Sequence, residues 1–302
     1  MGQASGWLRL VGKGLLSIII AMVIFGTISV FVKNIGISSG EIALWRAVIA
    51  VAVLLLYKLI KREKLPFYEI RSDILPLLIS GAAIGFNWVL LFEAYSYTSV
   101  SVATLCYYFC PVLVMVLSPI LFKERVTFRQ CLCFAFATAG LVLIIGARSA
   151  GGENELMGIL LGLGAACLYA FIVLMNKRIK TVGGVDKTIY QFLGVIVVLI
   201  IYVPLTSGFH VAELSGWGQI NLLILGAVHT GLAYCLYFTA VGKLSGQKIA
   251  LLSYIDPLVA VIVSIAFLEE SITALQLFGG ALILGFTLLN ELNNAKTNKA
   301  AD

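Results

Sequence analysis

The sequence predicts an all-α membrane protein with ten transmembrane helices arranged as two inverted five-helix repeats. Three observations carry this. Of 302 residues, 61% are hydrophobic and only 12% charged, against roughly 45–50% and about 25% in soluble domains. The apolar residues fall into ten stretches near the length that spans a bilayer, about 20 residues. A set of polar and conformationally special residues in the first half recurs in the second. The composition excludes an ordinary soluble enzyme, a disordered chain and a disulfide-stapled domain.

The spans read roughly as 14–32, 41–59, 74–96, 99–121, 129–147, 156–176, 188–207, 217–240, 248–267 and 275–292. The first follows Arg9 and Lys13, as a signal sequence would. It is too long for a cleaved apolar region and lacks a small-residue cleavage site, so it is expected to remain as a helix. The connections are short, and none is large enough for a separate soluble domain. With a cytoplasmic N-terminus, only Lys33 and Arg148 of the 21 Lys and Arg fall on the outer side, and Arg46 lies within a span. That alternation supports the ten-span count and places both termini in the cytoplasm, in the cell (inner or plasma) membrane. It also explains the net charge of +6 without nucleic acid. Trp7, Trp45 and Trp217 sit near span ends and read as interface anchors.

The repeat is visible residue by residue. The stretch from Ser101 through Pro111 to Gln130 parallels the one from Gln247 through Pro257 to Gln276. A constant offset pairs Tyr108 with Tyr254, Pro111 with Pro257, Glu124 with Glu270, Thr127 with Thr273 and Gln130 with Gln276. Nearby offsets pair Gly14 with Gly158, Lys33 with Lys177, Glu41 with Asp186 and Gly85 with Gly231. The expected units are therefore 1–147 and 148–302. Five spans is an odd number, so the halves insert in opposite senses. Such repeats place a solute site near the bilayer midplane and operate by alternating access.

With two halves of five spans, each carrying a span with a central Pro followed by Glu, Thr and Gln, the chain resembles the EamA family of the drug/metabolite transporter superfamily. The resemblance covers nearly the whole chain. It implies cytoplasmic termini and a central cavity lined mainly by spans 1, 3, 4, 6, 8 and 9. It also implies secondary transport of small metabolites, often export of amino acids or their relatives. One departure is that the fifth span has Cys131, Cys133 and Phe134 where the second half has Gly279 and Gly280. Closer helix packing is expected in the second half.

Ionisable groups in the bilayer are costly and mark candidate sites. Arg46 and Glu93 lie at similar depth near the outer side. They form either a structural ion pair or a functional set, with Glu93 taking a cation or proton and Arg46 a substrate carboxylate. Asp256 lies about 12 Å deep by helical rise, just before the kink expected at Pro257. It either bonds the loosened backbone of its own helix or carries a proton or meets an amine. His229 falls at comparable depth, either as a satisfied interior histidine or as half of a His229–Asp256 relay. Asn87, Trp88, Tyr107, Tyr108, Tyr169, Tyr234 and Tyr254 crowd the same depth and suggest a cavity wall suited to cationic or aromatic ligands. Pro111, Pro257, Glu124 and Glu270 read as gating or structural residues, the two glutamates in turns and helix caps. Gly158 and Gly162 are spaced for close helix contact.

The six cysteines lie in apolar runs and read as packing residues. There is no Walker-type loop, metal motif or nucleophile elbow. The sequence therefore points to no enzyme, no cofactor and no metal. The expected partners are a small-molecule substrate, membrane lipid and a proton, with the chain a monomer or homodimer. The rival readings are an uncoupled exchanger or facilitator of the same fold, and a lipid-handling membrane enzyme or scaffold.

Overall fold

The computed structural model describes residues 2–66, 68, 70–122, 127–146, 153–179 and 181–299. Among them every long element is a helix, as an apolar phase requires of a chain whose backbone must satisfy itself. Span one is α1 (Gly2–Gly26) continued by α2 (Ile28–Lys33). Spans two and three are α3 (Ser39–Lys61) and α4 (Ile74–Tyr97). Span four is split into α5 (Val100–Tyr107) and α6 (Cys110–Phe122), and span five is α7 (Phe128–Gly146). Spans six and seven are α8 (Glu153–Arg178) and α9 (Gly184–Thr206). Span eight joins α10 (Gly216–Gly226), a π-helical turn (Ala227–Leu232) and α11 (Ala233–Val241). Span nine is split into α12 (Gly246–Ser253) and α13 (Ile255–Phe267), and α14 (Ala274–Lys299) closes the chain. Among the described residues eight spans are long and apolar enough to cross a bilayer, and the shorter apolar helices Leu251–Phe267 and Ala274–Asn290 bring the candidates to ten. Side chains such as Leu59, Ile60 and Leu205 stand largely exposed on the outside of the bundle, where lipid would cover them. The even number of spans puts both chain ends on one side, here called the terminal face.

The expected proline kink takes a different form. Each chain break comes three residues ahead of its proline, at Tyr108 and at Tyr254. Pro111 and Pro257 therefore sit in the first turn of a new helix, where the missing N–H would have no intrahelical partner anyway. The repeated Thr-x-x-Gln forms a reciprocal cap at both sites. Thr127 N–H donates to Gln130 Oε1 (2.8 Å) and Gln130 N–H to Thr127 Oγ1 (3.3 Å). The Thr273–Gln276 pair does the same at 2.9 and 3.1 Å.

Glycines set the close crossings. Gly81 of α4 meets the backbone of Gln191 and Gly194 in α9, while Gly158 and Gly162 of α8 meet Thr98 and the α5 backbone and side chains at Ala103 and Cys106. The latter pair makes the close contact its spacing suggests. On the far side of the molecule α7 and α14 pack together. Gly140 faces Gly279 there, and Phe136 stacks on Phe286 with ring centroids 4.5 Å apart.

Glu41 organises the face opposite the termini. Its fully buried carboxylate accepts from the His210 and Val211 N–H groups at 2.8–2.9 Å, and from Trp45 Nε1 at 3.3 Å. The His210 ring is exposed, and both of its nitrogens face acceptors, the Ser207 carbonyl at 2.8 Å and Glu213 Oε1 at 3.3 Å. The bond to the Ser207 carbonyl, then the Glu213 carboxylate, raises its pKa above the usual 6.5.

Two outcomes are expected. A Cβ at position 279 would lie 2.5 Å from the Gly140 carbonyl oxygen. Gly279→Ala should therefore lower stability by about 1–3 kcal/mol, read as a fall in thermal midpoint. Because the folded pKa of His210 is raised, its contribution is complete below pH 6.5 and lost as pH rises through the folded value. NMR of the ring should show a titration above pH 6.5 that moves back toward 6.5 in Glu213→Gln.

Candidate functional site

A cavity of about 510 Å³ lies among spans one to four and six to nine. It runs from Ser29 and Tyr95, near the opposite face, to Gly184 and Lys187 at the terminal face. None of the described residues of spans five and ten lines it. The family resemblance named six lining spans, and α3 and α9 add Arg46 and Gln191 to that set.

Arg46 lies about 10 Å along α3 from its start at Ser39 and is only 4% exposed. Its Nε donates to Thr230 Oγ1 at 2.6 Å, and Thr230 donates onward to the Leu225 carbonyl at 2.9 Å. Thr230 can reach back five residues because the chain there makes a π turn. The guanidinium carbon sits 4.2 Å from the Trp88 ring centroid and 5.5 Å from that of Phe92, close enough for cation–π attraction. Trp88 is held edge-on to Phe192, and Phe192 to Tyr234.

The second polar focus is Asp256, two residues past the break in span nine. Its carboxylate accepts from the hydroxyl of Tyr108, the residue at the break in span four. The bond joins the two broken spans across the repeat. Beside it Tyr107 and Tyr169 stack with rings 5.2 Å apart and 8° from parallel. Asn87 lines the same cavity and donates to the Ala165 carbonyl at 2.6 Å, tying α4 to α8.

Several expected placements differ. Arg46 and Glu93 do not pair: Glu93 accepts from Ser39 Oγ at 2.7 Å and stands outside the cavity lining. Equal depth along two helices does not make their side chains face each other. His229 is also outside the lining. Its Nε2 lies 3.0 Å from Thr27 Oγ1, its Nδ1 3.3 Å from the Ile224 carbonyl, and its ring against Phe31. The His229–Asp256 relay is therefore not formed. Tyr254 sits at the break itself and not among the lining residues, unlike Tyr107, Tyr108, Tyr169 and Tyr234. Glu124 lies outside the described residues.

Glu270 does more than cap a turn. Its carboxylate accepts from Lys33, from Ser264 Oγ and from the Val100 N–H (2.7 Å) that opens α5. One side chain thus joins spans one, four and nine over the end of the cavity away from the termini. At the terminal face Lys58 pairs with Asp186, and Thr181 Oγ1 donates to Asp73 at 2.7 Å. The sequence reading missed Lys33, Ser264 and Thr230. Lys33 carried a signal, being one of two basic residues on its side of the membrane, the side that also bears Glu270. Thr230 carried none. Among the described residues no group of three or more His, Cys, Asp or Glu could hold a metal.

The family model described as the EamA-like transporter family matches residues 12–146 and again 156–291. An uncharacterized transporter, YxxF of Bacillus subtilis (strain 168), is 29% identical over 291 residues, covering 95% of this chain and 92% of that protein. Solute carrier family 35 member G1 of Mus musculus is 25% identical over 293 residues, covering 90% and 76%. One solved crystal structure matches with a TM-score of 0.64 at 19% identity, covering 91% of this chain and 96% of that one. It bears out the fold.

Hydrogen bonds to charged groups contribute about 1.5–3 kcal/mol, so loss of the Glu270 junction should shift the opening at that face roughly tenfold or more. In a background with the native cysteines replaced, Thr104→Cys should react with an impermeant thiol reagent from the face opposite the termini about tenfold faster once Glu270→Gln or Lys33→Met is added. An unchanged rate would mean that other contacts keep this end shut.

Proposed function

The chain belongs to the EamA-like transporter family, a family of transporters and not of enzymes, and on that premise we propose that it is a secondary active carrier working by alternating access. The solute is a small amino acid or amine, and the direction is export across the inner or plasma membrane. Residues 1–147 and 148–302 are the two units that rock about the cavity, and both termini are cytoplasmic. The distribution of Lys and Arg supports that orientation. On this reading the cavity, which reaches Gly184 and Lys187 at the terminal face, is open to the cytoplasm. The Glu270 junction with Lys33, Val100 and Ser264 closes the outer side.

The observation that carries the proposal is the Asp256 carboxylate in the cavity wall, bonded by Tyr108 across the two broken spans. A carboxylate at bilayer depth is kept at a cost and commonly serves proton or cation coupling. Its partner is a neutral hydroxyl, so it remains free to exchange a proton with water in the cavity. Glu93, held by Ser39 away from the cavity, is given no part. An uncoupled exchanger is the alternative of the same fold.

In liposomes, Asp256→Asn should reduce flux driven by a pH gradient at least tenfold while solute counterflow persists. If the pH-driven flux survives the substitution, Asp256 is not the coupling group. Counterflow that ignores a proton ionophore in the unaltered protein would favour the exchanger.

A further inference from the structure

We propose that Arg46 is the receptor for a substrate carboxylate, so that the solute held in this cavity is a carboxylic acid, zwitterionic or anionic, and not a simple amine. The inference rests on the carrier reading for its claim that the bound molecule is transported. The binding claim rests on geometry.

A guanidinium presents five N–H donors. The Nε donor of Arg46 is committed to Thr230. Its face is committed to Trp88. The two Nη groups, with four donors, make no hydrogen bond to the described residues, and no described carboxylate lies within 4.0 Å. A buried charge in a membrane protein is normally paired or functional. This one is oriented by neutral groups, lines a cavity and has no counter-ion among the described residues, so the counter-ion is assigned to the ligand. The planar fork of an arginine fits a carboxylate bidentately, which a lysine cannot do.

A second group points the same way. Ser29 is 2% exposed, lines the cavity, and its hydroxyl has no hydrogen-bond partner. It stands two residues from Thr27, whose hydroxyl contacts His229, the neighbour of Thr230. A buried hydroxyl without a partner and a guanidinium with four unused donors line the same cavity, and both suit an oxyanion. The anion has a single charge. One fork is offered, and Asp256 lines the same cavity and would repel a dianion such as a phosphate monoester. The tyrosines between provide the apolar wall for the rest of the acid, and the Asp256–Tyr108 pair provides an acceptor for an ammonium group where one is present.

The test uses the purified full-length chain with matched ligand sets. One set is leucine, leucinamide, 4-methylpentanoate and isoamylamine, and parallel sets are built on alanine and phenylalanine. Thermal midpoint and tryptophan emission are both read, because Trp88 lies directly under the guanidinium. At least one acid should raise the midpoint and alter emission with one Kd, its amide and amine binding tenfold weaker or worse. Arg46→Lys should weaken the acid about tenfold, Arg46→Gln should abolish its binding, and Trp88→Phe should remove most of the emission change. Thr230→Val keeps the charge but frees the fork, and should weaken the acid several-fold. Should Arg46→Gln fail to fold, Arg46→Lys and Thr230→Val decide. The proposal is overturned if an amide or amine binds as tightly as its acid, if the acid binds Arg46→Gln unchanged, or if no acid in the sets binds. Counterflow separates the two readings. Acid binding without flux would overturn the carrier and leave the Arg46 site, and flux of an amine lacking a carboxylate would do the reverse.

Discussion

Hydrocarbon offers no hydrogen-bond partner, and that constraint decides where this chain leaves the helical path. A polar backbone group without a partner costs several kcal/mol there, so departures are tolerated only against protein or a wet cavity. The inner irregularities are the junction at Thr27, the break at Tyr108, the π turn at Ala227–Leu232 and the break at Tyr254. Each is flanked by residues that line the cavity or bond to ones that do. Ser29 follows the first, Tyr108 stands at the second, Thr230 in the third holds Arg46, and Asp256 follows the fourth. The interruptions and the site are thus one feature. The breaks add Ser29, Tyr108 and Asp256 to the polar residues that the continuous helices α3, α4 and α9 bring to the cavity, Arg46, Asn87 and Gln191.

The repeat supplies the scaffold twice and the chemistry once. Both halves place a break three residues before a proline and a Thr–Gln cap at the following helix. At the site itself the matched residues differ. Asp256 corresponds to Cys110, so the midplane carboxylate exists in one half alone. Lys33 reaches Glu270, to which Ser264 also donates, while its counterpart Lys177 donates to Ser118, the counterpart of Ser264. Inverted copies of one arrangement therefore stand at the two faces. Glycine packing follows the same logic of approximate symmetry. Gly279 meets Gly140 across the halves, so the close contact expected of the second half is made jointly with the first.

What could be read from the sequence follows from how each feature is encoded. Span positions are written in runs of composition, and the caps in residues three apart on one strand of chain. The spans and the recurring Thr and Gln were legible, while the sequence suggests the two glutamates for the capping role instead; Asp256, Tyr107, Tyr108, Tyr169 and Tyr234 do line one cavity. Pairings between spans were not. Arg46 and Glu93 share a depth, but each residue along a helix turns about 100°, and helix rotation about its axis is set by packing that one sequence does not reveal. His229 shows the same gap, since its level suggested Asp256 and its direction gave it to Thr27. Thr230 was invisible because its role depends on a π turn, and a Gly-Ala-rich stretch does not announce one.

Arg46 and Asp256 occupy one cavity and do not pair, and this separation bears on how a carrier must work. An ion pair formed inside the protein would have to be broken by each arriving solute, and a pair left behind at low dielectric holds tightly. Here each charge is positioned by a neutral partner, Thr230 for the guanidinium and Tyr108 for the carboxylate. A hydroxyl fixes the direction of a charged group without neutralising it. On the proposed reading the site is thereby preorganised, and the counter-charge comes with the solute. Aromatic rings add to this, since Trp88 steadies the cation through its face and claims none of its donors. The same arrangement limits affinity, because water in an open cavity competes for both charges, and a carrier needs a solute that leaves as readily as it binds.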